Sequence, residues 1–365
     1  MSNEFDLADG FAGDCETFDC DALATHLTWI DTSPLASALD DLFPSHTIKR
    51  WIYSPLTLLK LLILQDKKKV SYRTLVSTLT LDECIALGLE EISPDVFRIP
   101  CASTVHHFAY ERLGLAGFNS LMLAVGNLAC KYIRGGSGMV DSTPIPAAIH
   151  DEYAEFNPHY SQKMFKLHIF HYAQFPLAAE FSGGCAYDGN FFSSLSDMVQ
   201  PMKPILTKMM LDGGYDSYEI HAEVWYKFRV HPFIGIRENA VYNPEGSEMR
   251  ILHWVNKLWN KGGDVHKPLL DNLEFLYEQG RVEQVGAYFR NINLTNPHFQ
   301  EECKGRSVCE RTHSHMKATC NFTVHGMQHQ SKELYIIRRF VTYQLIIMTN
   351  IMHNMTNIQN SACYV

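Results

Sequence analysis

The chain has 365 residues, of which 46% are hydrophobic and 19% are charged, and its formal net charge is −9. This composition is typical of a globular protein with a sizeable core, and the length predicts two or three domains. No apolar run reaches the roughly 18 residues that a membrane span needs, and the N-terminus has no basic segment before an apolar one, as a secretory signal would. We therefore expect neither a membrane protein nor a secreted one, which favours the cytoplasm by elimination.

The negative charge is concentrated at the N-terminus. Residues 1–48 contain ten carboxylates and no Lys or Arg, and are interpreted as an acidic leader. All 31 basic residues lie after it, against 30 acidic ones, so the remaining chain has a net charge of +1. A neutral body binds nucleic acid only through local basic patches. The candidates are the three lysines at 67–69 and a C-terminal set: Lys304, Arg306, Arg311, Lys317, Lys332, Arg338 and Arg339.

The ten cysteines are scattered along the chain and form no CxxC pair. A chain of this size does not need disulfides, and the spacings do not match a disulfide framework, so we expect reduced thiols. Cys303, Cys309, His313 and Cys320 could in principle bind zinc, but their spacing matches no zinc knuckle.

Residues 49–134 are predicted to be helical. Ser54 before a proline is typical of a helix start, and the apolar run that follows it predicts one helix from this position. Several shorter helical segments are predicted after that helix. A later helix is predicted to be capped by Ser103 or Thr104 and to end at Gly114. Short helices joined by tight turns fit a helix-turn-helix-like DNA-binding module and a plain helical bundle equally well.

The pattern changes after residue 134. Apolar segments at 138–146, 163–173, 176–184 and 204–212 predict strands, and helices are predicted between the later ones. Strands that alternate with helices indicate a mixed α/β layered domain over residues 135–365. Residues 239–300 have an irregular pattern, and helices over roughly 302–321 and 332–352 are predicted to close the chain.

Two aspartates follow apolar strands. Asp141 ends GMVD and Asp212 ends KMMLD. A carboxylate at the end of a buried strand is held on rigid backbone at a sheet edge, where ligands commonly lie. Two such carboxylates on neighbouring strands would concentrate negative charge and favour bound cations. Each aspartate could equally cap the turn that follows its strand.

A third carboxylate lies between two cations in the C-terminal region. Arg306, Glu310 and Lys317 have the spacing R-x3-E-x6-K. On one α-helix, at about 100° per residue, Glu310 would lie about 40° from Arg306 and Lys317 about 20°. Such a face could be an ordinary ion-pair ladder, or it could hold a metal and grip a phosphate backbone together.

In their order and spacing, these motifs resemble the DDE transposases of bacterial and archaeal insertion sequences, in the group with a Y-x2-R-x3-E-x6-K signature. VDSTP is similar to the first-aspartate strand, LDGGYDS to the second, and RSVCERTHSHMK to the glutamate helix. Cys303 stands where the signature has tyrosine. FRIPCASTVHHFAYERLG resembles their helical N-terminal domain. The resemblance implies a small all-helical, DNA-binding domain over 49–134 and a ribonuclease-H-like catalytic domain, with 239–300 inserted before the glutamate helix.

The resemblance also implies a mechanism and partners. Asp141, Asp212 and Glu310 would coordinate two Mg²⁺ or Mn²⁺ ions for phosphoryl transfer on DNA, and Arg306 and Lys317 would hold phosphates of the transposon end. The implied partners are double-stranded DNA, as the inverted repeats of the element and its target, and a second copy of the chain in a homodimer. No membrane partner is implied.

Several alternatives stay open at this stage. Asp216, four residues after Asp212, could be the ligand in its place, although it is interpreted as a helix N-cap. Asp188 is interpreted as another cap. Trp254 and Trp259 could stack on an unpaired base, although such residues more often pack in a core. As for function, the chain could be a non-catalytic DNA-binding protein derived from a transposase, or a metal-dependent nuclease without strand transfer.

Overall fold

The computed structural model describes residues 34–43, 51–237, 266–324 and 329–352. Most of the acidic leader, and both Trp254 and Trp259, lie outside these residues. The N-terminal region contains the helices α1 (Pro34–Leu42), α2 (Pro55–Lys68), α3 (Tyr72–Ser77), α4 (Leu81–Ala86), α5 (Ala102–His107) and α6 (Gly114–Tyr132).

Short polar side chains fix where these helices begin. Ser54 accepts a hydrogen bond from the Thr57 amide at 3.0 Å, so the predicted start of α2 is confirmed. Thr80 and Glu83 form a reciprocal capping box at the start of α4. Each such cap satisfies amide groups that have no partner within the first helical turn.

The expected all-helical composition of this region is not confirmed. An antiparallel hairpin, β1 (Glu91–Ser93) and β2 (Val96–Phe97), separates α4 from α5. The predicted end at Gly114 is confirmed: a π-helical turn extends α5 to Leu113, Gly114 is its C-cap with a φ of +59°, and α6 begins there. Buried Phe118, Leu121 and Val125 continue the apolar face beyond that glycine. The N-cap position of α5 is Cys101, without a side-chain hydrogen bond, rather than Ser103 or Thr104.

A six-stranded mixed sheet forms the centre of the molecule. Its strands are β3 (Gly136–Pro146), β4 (Glu155–Asn157), β5 (Gln162–Tyr172), β6 (Phe175–Gly183), β7 (Leu206–Leu211) and β8 (Pro232–Ile234). The central strand β3 pairs antiparallel with β5 on one side and parallel with β7 on the other. Beyond them, β6 and the short β4 pair antiparallel with β5, and β8 pairs parallel with β7. The predicted mixed α/β class is therefore correct, and this strand order is compatible with the ribonuclease-H-like expectation.

Seven helices follow the first strands in the described part of the chain. They are α7 (Phe192–Val199), α8 (Tyr218–Phe228), α9 (His266–Glu278), α10 (Val282–Thr295), α11 (Pro297–Cys303), α12 (Val308–Thr319) and α13 (His329–Met352). The irregular pattern assigned to 239–300 is wrong for its described part, which is helical. Val285 and Phe289 recur at helical spacing on α10 and pack with Trp225 of α8 in a small cluster of their own. The sequence pattern is weak because the same helix carries polar residues that are also buried, Asn291 and Asn293.

One hydrophobic core extends from α2 through the sheet to α13. In it, α13 packs against α6 and β6. By length and composition, the stretch Ala102–Tyr132 is the one helix of the described residues that could cross a membrane, but half of its apolar window is buried within the fold. Core helices pass the same test, so this stretch is weak evidence for a membrane span.

Candidate functional site

Asp141 lies within the central strand β3, which continues to Pro146, and Asp212 directly follows the parallel strand β7. The prediction that Asp141 ends its strand is therefore wrong, whereas that for Asp212 is confirmed. The register pairs Met139 of β3 with Met210 of β7, and each aspartate follows two positions later. Neighbouring strands lie about 4.8 Å apart, and residues two apart share one face of a sheet. Both carboxylates are half-buried at the ends of apolar runs. The structure therefore brings these two predicted site residues together.

Backbone amides orient both carboxylates. Asp141 Oδ1 accepts a hydrogen bond from the Ser142 amide at 2.9 Å. Asp212 Oδ1 accepts one from the Gly214 amide at 2.7 Å and caps the short 3₁₀ turn Gly213–Tyr215. The turn-capping role considered for Asp212 is thus real, and it fixes the side chain at the end of β7.

A buried phenol lies among three acidic side chains at this edge. Burial, and then the charges of Asp188, Asp141 and Asp212, raise the pKa of Tyr215 well above its ordinary value. The Tyr215 ring is 1% exposed, so its hydroxyl lies in a low-dielectric environment that these charges reach. The turn Asp188–Phe191 also packs against the turn Gly213–Tyr215, so Asp188 belongs to the surroundings of Asp212, which its position in the sequence did not indicate.

The interpretation of Asp188 as a helix cap is wrong. Tyr187 occupies the N-cap position of the 3₁₀ turn Asp188–Phe191, and no side chain caps that turn. The Asp188 carboxylate instead pairs with Lys166 Nζ at 2.9 Å and lies 3.5 Å from His168 Nδ1. Lys166 of β5 is the cation that offsets its charge, whereas burial lowers the pKa of His168 to about 4 and keeps that ring neutral.

The glutamate helix is shorter than predicted. A 3₁₀ turn, Lys304–Ser307, separates α11 from α12, so Arg306 precedes the α-helix that contains Glu310 and Lys317. The common face inferred from 100° per residue is therefore wrong for Arg306, because a 3₁₀ turn advances about 120° per residue. The Arg306 side chain lies outside the described atoms. Glu310 is exposed, Lys317 is half-buried, and burial lowers the pKa of Lys317.

The start of α12 packs directly on the strands that position the two aspartates. Cys309 is buried in a small cluster with Met139 and Met210, each two residues before one of the aspartates. Because residues two apart in a strand share a face, the helix covers the face on which Asp141 and Asp212 lie. Glu310 follows Cys309 at about 100° round the helix and is exposed, so this packing brings the helix, and not the Glu310 carboxylate itself, onto the aspartate pair.

A buried histidine pair forms a second contact between α12 and the sheet. His313 Nε2 lies 3.1 Å from His171 Nε2, so one ring donates to the other. His171 pairs across the strands with Met139, which places this contact one strand away from Cys309. Burial chiefly lowers the pKa of both rings, to about 3 for His313, where the charge of Lys317 contributes as well. The neutral pair fixes the rotation of α12, and neither histidine stood out as a positioning residue in the sequence.

Glu310 lines an open groove of about 460 Å³ on the outer side of α12. The other lining residues are Ser307, Arg311, Ser314 and His315. Within the described ranges, no three His, Cys, Asp or Glu side chains are arranged closely enough to hold a metal ion, and this includes the cysteines and His313 considered for zinc. The structure therefore joins Asp141 to Asp212 and places the Glu310 helix beside them, without closing the three carboxylates into one coordination sphere.

Asp216 has a different role from either predicted one. Arg290 of α10 donates to both of its oxygens, at 2.8 and 3.0 Å, and His221 Nε2 lies 3.3 Å from Oδ1. Burial raises the pKa of this carboxyl, but the hydrogen bonds from His221 and Arg290 outweigh it and hold the pKa well below its ordinary value. Ser217, not Asp216, caps α8, since its hydroxyl accepts from the Ile220 amide. The N-cap interpretation of Asp216 is wrong, and its oxygens are engaged by Arg290 of α10 and by His221 of α8.

Comparison with known protein families gives a match over the sheet and the helices that follow it. A family model described as the transposase DDE domain matches residues 137–345, more than half of the chain. The matched segment begins one residue into the central strand β3 and includes Asp141, Asp212 and Glu310. No curated protein and no solved structure matches the chain. The chain therefore belongs to the DDE transposase family, of the insertion-sequence type.

Proposed function

We propose that this chain is an active transposase that cleaves the ends of an insertion sequence and joins them to target DNA in a metal-dependent reaction. One observation carries the proposal: Asp141 and Asp212 each follow by two residues the pair Met139 and Met210, which is matched across the parallel strands, and the helix that contains Glu310 packs on that pair through Cys309. The strand order, with β3 central between antiparallel β5 and parallel β7, supports a ribonuclease-H-like catalytic domain.

The donor atoms at this edge suit a divalent cation. Asp141, Asp212 and Glu310 offer carboxylate oxygens, the ligands that Mg²⁺ and Mn²⁺ prefer. These three residues would hold two such ions, which when bound polarise the scissile phosphate and the attacking oxygen. Amide hydrogen bonds to Asp141 and Asp212 limit their rotation before any ion binds. Such fixed orientation reduces the cost of ordering ligands around the ions.

The other residues position the DNA. Lys317 lies two turns after Glu310 on α12, and Arg306 lies in the turn before that helix, so cations flank the carboxylate along the chain. They would bind phosphates of the transposon end and hold the scissile bond in line with the attacking oxygen. The His171–His313 pair and Cys309 hold α12 on the sheet and so maintain the position of Glu310. We further propose a homodimer on DNA and a cytoplasmic location.

A two-stage assay tests this function. Purified protein is incubated with a labelled duplex that contains the inverted repeats flanking the gene, with and without Mg²⁺, and the products are then offered a target plasmid. The proposal predicts strand cleavage only with the metal, followed by joined products. Cleavage without joining would indicate the nuclease alternative, and sequence-selective binding without cleavage would indicate a non-catalytic DNA-binding protein.

A further inference from the structure

A guanidinium group lies on the turn that directly follows Asp212. Arg237, three residues beyond the end of β8, donates from Nε to the Gly213 carbonyl at 3.0 Å, and its Nη2 lies 3.4 Å from the Gly214 carbonyl. Gly235, which lies between the end of β8 and Arg237, continues the pairing of β8 with β7, since its amide donates to the Leu211 carbonyl at 2.9 Å. Arg237 is thus fixed within two residues of a predicted metal ligand.

Tyr187 holds the same guanidinium from the other side. Its hydroxyl donates to the Gly214 carbonyl and accepts from Arg237 Nη2. The guanidinium carbon lies 5.8 Å from the centre of the Tyr187 ring, within the range of cation–π attraction. Both side chains remain exposed, and Tyr187 immediately precedes Asp188, the acidic residue whose charge reaches Tyr215.

The charge of Arg237 is held without being neutralised. In the part of the chain that the structure describes, no carboxylate lies within ion-pair distance of Arg237, and its bonding partners are two carbonyls and a phenol. A guanidinium has five N–H donors, and the bonds described here use only those on Nε and Nη2. The two donors on Nη1 remain for a further acceptor. An exposed, pre-oriented arginine with this geometry suits a phosphate, whose oxygens accept such paired donors.

Arg229 shows what a stacked arginine looks like when it is only structural. It is also exposed, and its guanidinium carbon lies 5.0 Å from the ring of Trp225 and 5.2 Å from that of Tyr226. Unlike Arg237, it pairs with a carboxylate, Glu274, at 2.5 Å. The two arginines therefore share exposure and aromatic stacking and differ in whether their charge is compensated.

We propose that Arg237 and Tyr187 form a phosphate-binding position for the DNA backbone beside Asp212. Arg237 binds the phosphate through Nη1, and Tyr187 keeps the guanidinium on the Gly213–Gly214 turn. This inference rests on the proposed function, because it assigns a contact to the DNA that the carboxylate site would cleave. It places a DNA contact on the loop after β8, in addition to the cations that flank Glu310 in sequence.

The salt dependence of DNA binding tests the position directly. Affinity for a transposon-end duplex is measured by fluorescence anisotropy at several salt concentrations without divalent metal, for the wild type, Arg237→Gln, Arg237→Lys and the control Arg229→Gln. The logarithm of the affinity falls linearly with the logarithm of the salt concentration, and loss of one phosphate contact makes this negative slope shallower by about 0.9. If the affinity at 1 M salt is unchanged, the affinity at about 0.1 M salt falls about eightfold. Arg237→Gln should show this loss, Arg237→Lys should keep the slope, and Arg229→Gln should match the wild type.

Two results would overturn the inference. Arg237→Gln could lower the melting temperature and leave the slope unchanged, in which case Arg237 only ties the turn after Asp212. Alternatively, Arg229→Gln could lower the slope as much as Arg237→Gln, in which case any exposed arginine has the same effect. Because the slope is measured without metal, it is independent of catalysis. Failure of the proposed function would appear separately, as a wild-type protein that binds the ends and cleaves nothing in Mg²⁺.

Discussion

Replacement of Asp216 by alanine distinguishes a carboxylate that stabilises the fold from one that binds metal. The Asp216 side chain is 1% exposed and that of Arg290 is 12% exposed, and two hydrogen bonds join them. The pair links the turn after Asp212 to helix α10. Removing the carboxylate leaves a buried guanidinium with no compensating charge from Asp216, which is costly in a medium of low dielectric constant.

The expected magnitude follows from that burial. Loss of one partner of a buried ion pair costs about 3–5 kcal/mol, so Asp216→Ala and Arg290→Ala should each lower the free energy of unfolding by about that amount. At roughly 2 °C per kcal/mol for a chain of this size, the melting temperature should fall by at least about 6 °C. The double variant removes both charges, so it should lose less than the sum, with a coupling of about 2 kcal/mol or more.

Thermal and urea unfolding of the four proteins measure this cycle. Asp197→Ala is the control, because Asp197 pairs with Lys227 at 2.6 Å but is 66% exposed, and such a surface pair contributes about 0.2–1 kcal/mol. Wild-type stability of Asp216→Ala, or simple additivity in the double variant, would refute the assigned role. Loss of Mn²⁺ binding by folded Asp216→Ala, with binding kept by Asp212→Ala, would instead make Asp216 the metal ligand.

Three further predictions concern the glutamate helix and the leader. The buried His171–His313 pair stays neutral in the folded protein, whereas the same two histidines take up protons in the unfolded chain below their ordinary pKa of 6.5. The free energy of unfolding should therefore fall as the pH drops from 6.5 toward the His313 pKa of about 3. His313→Leu should weaken this dependence in urea titrations at about pH 7.5 and about pH 5, and an unchanged dependence would contradict it. Lys317→Ala and Arg306→Ala should each cut end cleavage at least about tenfold, or about 1.4 kcal/mol of barrier, with little change in melting temperature, and Arg306→Lys should restore only part. Near-normal cleavage by both alanine variants would refute the phosphate role. Deletion of residues 1–48 should tighten DNA binding at low salt, with the difference shrinking as salt rises, and equal affinities would show that the leader does not screen the DNA surface.

The strand aspartates could be predicted from the sequence because a local pattern determines them. Asp141 and Asp212 each follow an apolar run typical of a buried strand, which predicts that both lie on the sheet. The strand end was predicted correctly only at Asp212, because β3 continues five residues beyond Asp141. The family resemblance then added the order of the motifs. Helix starts such as Ser54 were predictable for the same reason, since a cap acts over three residues.

The features that sequence did not predict depend on contacts between distant residues. Arg290 meets Asp216 across 74 positions, and His313 meets His171 across 142. Nothing local marks either partner, and a carboxylate before a helix is typical of a cap whether or not an arginine reaches it. The 3₁₀ turn before α12 was also not predicted, because the periodicity of apolar residues does not reveal where an α-helix changes to a 3₁₀-helix.

Arg237 lies between these two cases. The glycines at 213 and 214 indicate a turn. The arginine that binds this turn, Arg237, lies in the loop after β8, and Tyr187 lies just before the 3₁₀ turn Asp188–Phe191. Sequence alone gave no reason to separate Arg237 from the other arginines. Its lack of a carboxylate partner among the described residues becomes visible only in three dimensions.

The central claim is that Asp141, Asp212 and Glu310 together support metal-dependent cleavage. Its most direct test is the rate of strand cleavage on a labelled transposon end as Mg²⁺ is titrated, for the wild type, Asp141→Asn, Asp212→Asn, Glu310→Gln and the surface control Asp197→Asn, with end binding measured in parallel. We predict that the three site variants bind the end like the wild type and do not cleave it at any Mg²⁺ concentration, while Asp197→Asn cleaves normally. Wild-type cleavage by any one of the three site variants would contradict the claim.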